Sequence, residues 1–195
     1  MRSIFAMLLQ KEKTEMKNYY KIGILSLLLF SGCKSDEVDP VEDNELITTV
    51  KLTFNDGATN QIFQYSDSDG DGGKAPIIDK IVLKKNTAYA LTISILDESK
   101  SPVFDIGKEV AEESDEHLFV YTPSPATLLT YTYQDKDSKG YGIGLKGNVM
   151  TNNSGSGMLK VQLRHQPPVN GVDSKNGTPT PGSDDVNIDF EIKVE

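Results

Sequence analysis

Apolar and polar residues alternate along much of the chain after residue 45, over lengths that are typical of β-strands. The last segment is the clearest, because every second residue from Val186 to Val194 is apolar. A period of two places apolar side chains on one face of a strand and polar ones on the other. The segments that fit a strand are 46–54, 61–65, 78–84, 89–96, 117–121, 128–133, 143–150, 158–165 and 186–194.

This spacing predicts an all-β fold, an antiparallel immunoglobulin-like β-sandwich with about eight to nine short strands. Residues 106–116 favour a helix, so at most one short helix is expected. Residues 171–185 are rich in Gly, Pro, Ser and Asn and predict a long exposed loop. The alternation also predicts a core, which comprises Leu91, Ile93, Ile95, Val161, Leu163, Ile188, Phe190 and Ile192.

The N-terminal part has the features of a bacterial lipoprotein signal peptide. Lys17 and Lys21 precede an apolar run, 22–30, and Cys33, the only cysteine, follows two small residues. The run is too short for a transmembrane helix, which needs about 20 apolar residues. We therefore predict a signal peptide over residues 1–32, with Met16 as the true start, and lipidation of Cys33.

Residues 33–45 are acidic and poor in apolar side chains, which predicts a tether between the lipid and a single domain over residues 46–195. The predicted signal peptide carries five basic and two acidic residues, so its removal changes the net charge from −9 to −12. Such a charge, without a basic stripe, argues against binding to nucleic acid.

A first candidate metal site is a calcium site at Asp67, Asp69 and Asp71. These residues and the glycines beside them match the first half of an EF-hand loop. The twelfth position of that loop is Ile78, where a bidentate Glu is required. A metal-free hairpin turn selects the same residue types and is the alternative.

A second candidate is a transition-metal site formed by His117, His165 and Glu113. Imidazole and carboxylate groups together bind zinc, copper or iron, and the two histidines lie at the ends of predicted strands. Both histidines also continue apolar faces, so a structural role is the alternative. If lipid occupies the only thiol, any metal site must use carboxylates and these two histidines.

Catalytic motifs are missing from the sequence. It contains neither Gly-x-Ser-x-Gly nor His-Glu-x-x-His, and Gly140–Gly144 lacks the helix and lysine of a phosphate-binding loop. We therefore predict that the protein is not an enzyme and needs no cofactor other than a bound metal ion.

Several stretches resemble a family of small outer-membrane lipoproteins of Bacteroidota, often labelled "type 1 periplasmic binding fold superfamily protein". They are residues 47–53, 67–72, 86–89, 112–117, 163–167 and 182–186, and residues 34–37 resemble the acidic export signal of such lipoproteins. The resemblance implies a compact all-β outer-membrane lipoprotein, in some cases beside a TonB-dependent transporter. The label itself denotes a two-lobed α/β fold, whereas the strand pattern predicts a sandwich.

The sequence thus predicts a lipid-anchored, non-enzymatic binding protein of the outer membrane, which faces either the cell surface or the periplasm. Its expected ligand is a metal ion or small solute, captured in association with a TonB-dependent transporter. The alternative is a structural or adhesive surface lipoprotein that binds glycan or protein.

Overall fold

The computed structural model describes residues 46–195. The predicted signal peptide, Cys33 and the tether lie outside the described residues. The elements are β1 (Thr49–Asn55), β2 (Asn60–Ser66), β3 (Ile77–Ile78), β4 (Ile81–Leu83), β5 (Ala88–Asp97), β6 (Phe104–Asp105), α1 (Ile106–Glu112), β7 (His117–Ser124), β8 (Leu129–Tyr133), β9 (Lys146–Thr151), β10 (Gly155–His165) and β11 (Ser183–Val194). A single 3-10 turn, Gly70–Gly72, lies between β2 and β3.

These strands form two sheets. One sheet has the order β3-β2-β1-β5-β9-β8 with β6 beside β5, and the other has the order β4-β11-β10-β7. Neighbouring strands are antiparallel except β4, which runs parallel to β11. Inward side chains of both sheets belong to one buried cluster. The predicted all-β sandwich is confirmed.

All eight residues predicted for the core are buried. Five of them come from β10 and β11, which pair along their length and occupy the middle of the smaller sheet. The alternation of β11 is complete, with Val186, Ile188, Phe190, Ile192 and Val194 inside and the residues between them exposed. The alternation of β11 was predicted correctly, and this strand lies in the middle of the smaller sheet.

Two segments depart from the sequence-based expectation. Residues 78–84 do not form one strand: β3 belongs to the larger sheet and β4 to the smaller one, so the chain crosses between the layers here. The helix α1 ends at Glu112, before the acidic stretch expected to extend it, and it buries Ile106 and Val110 against the core. Within residues 46–195, no helix is long and apolar enough to span a membrane.

Candidate metal centre

Two histidines and an aspartate lie together at one end of the smaller sheet. His117 begins β7, His165 ends β10, and Asp185 is near the start of β11. These three strands are neighbours, and His117 pairs directly with His165 in the ladder. The sheet therefore brings the three side chains together from distant parts of the sequence.

The ligand atoms of this cluster are closely spaced. One nitrogen from each histidine and one carboxylate oxygen of Asp185 all lie within 4.8 Å of one another. Asp185 Oδ2 is 3.8 Å from His117 Nε2. The imidazole rings are stacked, with centroids 4.8 Å apart and planes inclined by 7°. Among the described residues, this is the only group of three or more His, Cys, Asp or Glu that could hold a metal ion.

A β-bulge in β11 gives Asp185 its position. Leu163 pairs with Val186 while the next residue, Arg164, pairs with Asp184, so Asp185 is the additional residue. A bulge of this kind reverses the faces on which the following side chains lie. Asp184 accordingly bonds to Arg164 on the outer face of the sheet, and Asp185 is left on the face that carries the histidines.

Each histidine has a further polar neighbour. His117 Nδ1 lies 3.1 Å from the backbone oxygen of Glu113, which favours the tautomer with a proton on Nδ1 and leaves Nε2 as the metal-binding nitrogen. His165 Nε2 lies 3.8 Å from Glu116 Oε2. Glu116 is thus a second carboxylate beside the pair, while Glu113, the carboxylate predicted from the sequence, contacts His117 through its backbone.

Hydrogen bonds hold the backbone around the site. The buried Gln166 donates its backbone N–H to Glu116 O at 2.6 Å, which ties the residue after His165 to the one before His117. On the outer face, burial acts to raise the pKa of Asp184, but hydrogen bonds from Arg164 and Gln162 outweigh it and hold this pKa below its ordinary value. Asp184 therefore stays ionised and is already engaged, which leaves Asp185 as the acid of the site.

The connecting loop, residues 166–182, joins His165 to the start of β11. The exposed loop predicted over residues 171–185 is wrong at its end, because residues 183–185 belong to β11. Lys175 within the loop is buried, with its Nζ 2.8 Å from Asp137 Oδ2. Lys175 Nζ also donates to the backbone oxygen of Ser114 at 2.8 Å. Gly182, with φ +77°, closes the loop where an added Cβ would meet His165 O at 1.8 Å. The loop is thus tied down at its middle and its end.

Three tyrosines lie under the β8–β9 connection, further along the sandwich. Tyr121 donates its hydroxyl to Gly144 O at 2.7 Å, and Tyr133 donates to Phe119 O at 2.6 Å. Burial raises the pKa of Tyr121, Tyr131 and Tyr133 above the ordinary tyrosine value. Protonated, hydrogen-bonded phenols are poor metal ligands, so these groups are structural.

The acidic turn predicted to bind calcium lies elsewhere, between β2 and β3. Asp67 Oδ2 accepts a hydrogen bond from the hydroxyl of Tyr65 at 3.2 Å, and Asp67 Oδ1 is buried without a hydrogen-bond partner among the described residues. Asp69 precedes the 3-10 turn, and its backbone oxygen accepts from Gly72. The side chain of Asp71 lies outside what the structure describes, so a calcium site there stays a prediction.

Sequence reasoning identified both histidines but missed Asp185, Glu116 and Lys175 as members of the site region. A signal for Asp185 was present. One loop joins the strand that ends at His165 to the next strand in the sequence. If these two strands pair, the first residues of the second strand lie beside His165. The burial of Lys175 has no comparable signal, because its neighbours are all turn formers.

Comparison with known proteins gave no assignment: no protein-family model, no curated protein and no solved structure matches this chain.

Proposed function

We propose that the protein is a non-enzymatic, lipid-anchored binding protein of the bacterial envelope that captures a divalent transition-metal ion. The ligands are His117, His165 and Asp185, with Glu116 available as a fourth. The observation that carries the proposal is the convergence of three ligand atoms within 4.8 Å on three neighbouring strands.

The donor spacing supports a single ion. Bonds of about 2.0 to 2.1 Å in a tetrahedral zinc site separate neighbouring donors by about 3.4 Å. His117 Nε2 and Asp185 Oδ2 are 3.8 Å apart, as are His165 Nε2 and Glu116 Oε2. Each of these two donor pairs is therefore within about 0.4 Å of the spacing that a zinc ion requires.

The ligand types select the class of metal. Imidazole nitrogens suit zinc, copper, iron and nickel, whereas calcium and magnesium prefer sites made only of oxygen. A set of two imidazoles and one or two carboxylates therefore favours a transition metal. Three protein ligands would leave an open coordination position, and Glu116 would close it.

Binding requires one imidazole ring to turn. The lone pair of a ring nitrogen lies in the plane of its ring, so a bound metal ion must lie in that plane too. The two stacked rings have nearly parallel planes, 7° apart, and one ion cannot lie in the planes of both rings. The contact of His117 Nδ1 with Glu113 O holds that ring. His165 is therefore expected to turn when metal enters, which breaks the stack.

Calorimetric titration with Zn²⁺ tests the proposal, on the full chain purified in detergent so that a lipidated Cys33 stays in solution. We expect one site with a stoichiometry near one, loss of this site in His165→Ala and Asp185→Ala, and retention in the matched control Asp184→Ala. The proposal would be overturned if titration with each of Zn²⁺, Cu²⁺, Ni²⁺ and Co²⁺ gave no binding heat. A parallel Ca²⁺ titration, repeated with Asp67→Asn, tests the acidic turn separately.

The anchor and the partner belong to the same proposal. The order of basic residues, apolar run, small residues and Cys33 supports lipidation, and the resemblance to Bacteroidota lipoproteins supports an outer-membrane, surface-exposed position beside a TonB-dependent transporter. Intact mass measurement should give a chain that begins at Cys33 with acyl chains attached, and Cys33→Ser should abolish both.

Cross-linking in intact cells should yield peptides joined to a transporter, and their absence would remove the transporter from the proposal.

Glycan binding is a second candidate function, favoured by a groove of about 520 Å³ on the outer face of the larger sheet. Small Ala90 lies in the groove between the β1–β2 turn and polar side chains that include Thr132 and Asn148. At one wall Asp56 is neutralised by Lys84, 3.0 Å away, which suits an uncharged polyhydroxylated ligand. A glycan array probed with the wild type and with Ala90→Phe, which fills the groove, tests this function; equal binding by both would exclude the groove.

A further inference from the structure

Lys175 is an unusual residue for a surface loop, because its side chain is fully buried and paired with the fully buried carboxylate of Asp137. The two charged atoms are 2.8 Å apart, and the ammonium also donates to Ser114 O. The pair joins three segments that are distant in sequence: the connecting loop, the β8–β9 connection and the turn that leads into β7.

A buried ion pair is weak grounds for stability, because apolar residues of similar volume commonly do as well or better. Structureless loops longer than about 12 to 15 residues are uncommon in compact domains and are usually functional. The pair therefore calls for a role beyond holding the domain folded. Its location indicates that role, because two of the three segments lead directly to the metal cluster: the connecting loop follows His165, and the turn after α1 leads into His117.

The path from Lys175 to the cluster is short. Ser114 lies three residues before His117, and the intervening Asp115 accepts hydrogen bonds from the backbone N–H and hydroxyl of Ser138, at 3.0 and 2.6 Å. Ser138 directly follows Asp137. On the other side, the connecting loop begins after His165 and ends before Asp185.

We infer that the Lys175–Asp137 ion pair positions His117 against His165 and Asp185. It fixes the entry to β7 and the loop between β10 and β11 in one arrangement, so that the three ligands keep their spacing before metal arrives. Lys175 is thus a positioning residue, and the consequence for metal affinity rests on the function proposed above.

The test removes, in the full chain, one or the other of two ion pairs that join the β8–β9 connection to the connecting loop. Lys175→Met combined with Asp137→Leu removes the buried pair without leaving a lone buried charge. Lys139→Met is the matched control, because it breaks a 2.7 Å ion pair from Lys139 to Asp173, which joins the β8–β9 connection to the connecting loop but is exposed. If the double variant fails to fold, Lys175→Met combined with Asp137→Asn takes its place, because Asn keeps an oxygen that can accept the backbone N–H groups of Lys139 and Tyr141.

The first measurement needs no metal. The chain has two histidines, so the imidazole signals in a nitrogen–proton correlation spectrum are few and can be assigned with His→Gln variants. We expect the signals of His117 and His165 to shift or broaden when the buried pair is removed and to stay in place in Lys139→Met. Unchanged imidazole signals in a folded variant without the pair would overturn the inference.

The second measurement is the Zn²⁺ affinity of the same proteins. Loss of a group that orients metal ligands weakens metal binding by about 10- to 100-fold, and we expect a change of this size without the buried pair and none in the control. Equal affinities in all three proteins would also overturn the inference. A wild type that binds no Zn²⁺, with imidazole signals that still respond to the pair, would remove the metal function and support the positioning role.

Discussion

Phe190→Ala should be among the most damaging single substitutions in the domain. Phe190 lies in the middle of β11, is 0% exposed and pairs across the ladder with Leu159, which is also buried. The inner positions on either side, Ile188 and Ile192, are buried as well, so the neighbouring side chains cannot collapse into the space without disturbing the sheet. Truncating a buried Phe to Ala in such a setting costs about 3 to 5 kcal/mol of the free energy of unfolding.

Urea denaturation followed by circular dichroism measures this loss. The matched control is Glu191→Ala, one residue further along the strand on the outer face, where an exposed ion pair with Lys80 is expected to contribute less than about 1 kcal/mol. For a domain of this size, each kcal/mol lowers Tm by about 2 to 4 °C, so Phe190→Ala should melt about 6 to 20 °C below the wild type. A loss under about 1 kcal/mol, or one no larger than that of the control, would show that the inward face of β11 has been assigned wrongly.

Three further predictions concern the site and its surroundings. Zn²⁺ at about 100 times its Kd should raise the free energy of unfolding by about 2.7 kcal/mol, and a thermal shift assay should show no such gain for His165→Ala. Gly182→Ala should lower both Tm and Zn²⁺ affinity, because the new Cβ would lie 1.8 Å from the backbone oxygen of His165; unchanged values would contradict the close contact. Hydrogen bonds from Thr59 and Lys84 lower the pKa of Asp56 below 3.8, the value of this carboxyl group in the unfolded chain. The ionised Asp56 therefore stabilises the fold above pH 3.8, and this stabilisation is lost as the pH falls below that value. Asp56→Asn should therefore flatten the acid side of a plot of Tm against pH, and an unaltered slope would count against this assignment.

Most of the fold could be predicted because its signal is local. A strand with one buried face must alternate, and β5 does so over its whole length, β10 from Leu159 to Leu163 and β11 from Val186 to Val194. Residues 78–84 were predicted as one strand but form parts of two strands in different sheets, which shows what alternation alone cannot decide. The alternation is the same whether the chain stays in one sheet or crosses to the other. Here Asp79 Oδ2 accepts the backbone N–H of Gln64 at 2.9 Å, so the residue between β3 and β4 is held by the larger sheet while β4 already belongs to the smaller one.

The site could be predicted only in part, because it depends on pairing between distant segments. Both histidines were recognised as strand-end residues, but which carboxylates lie near them is decided by strand order and by the bulge, neither of which is written in the local pattern. Glu113 and Glu116 are equivalent by composition. The turn after α1 presents the backbone of Glu113 to His117 and the side chain of Glu116 to His165.

The spacing of the ligands follows from the sheet more than from the loops. His117 and His165 are directly paired residues, and paired positions hold Cβ atoms about 4.5 to 5.5 Å apart, in keeping with the 4.8 Å between the rings. Directly behind them on the same face are Phe119 and Leu163, both fully buried, which fix the backbone on the core side.

The acid is supplied by the bulge. In the ladder His165 pairs with Ser183, so without the additional residue the strand would offer a hydroxyl opposite the histidine and no inward carboxylate. We expect deletion of Asp185 to restore a regular ladder and to leave Asp184 bonded to Arg164 on the outer face, so that the ligand is lost while the strand pairing is kept. The bulge interrupts the pairing of β10 with β11, and its effect at the site is to place a carboxylate beside the two histidines.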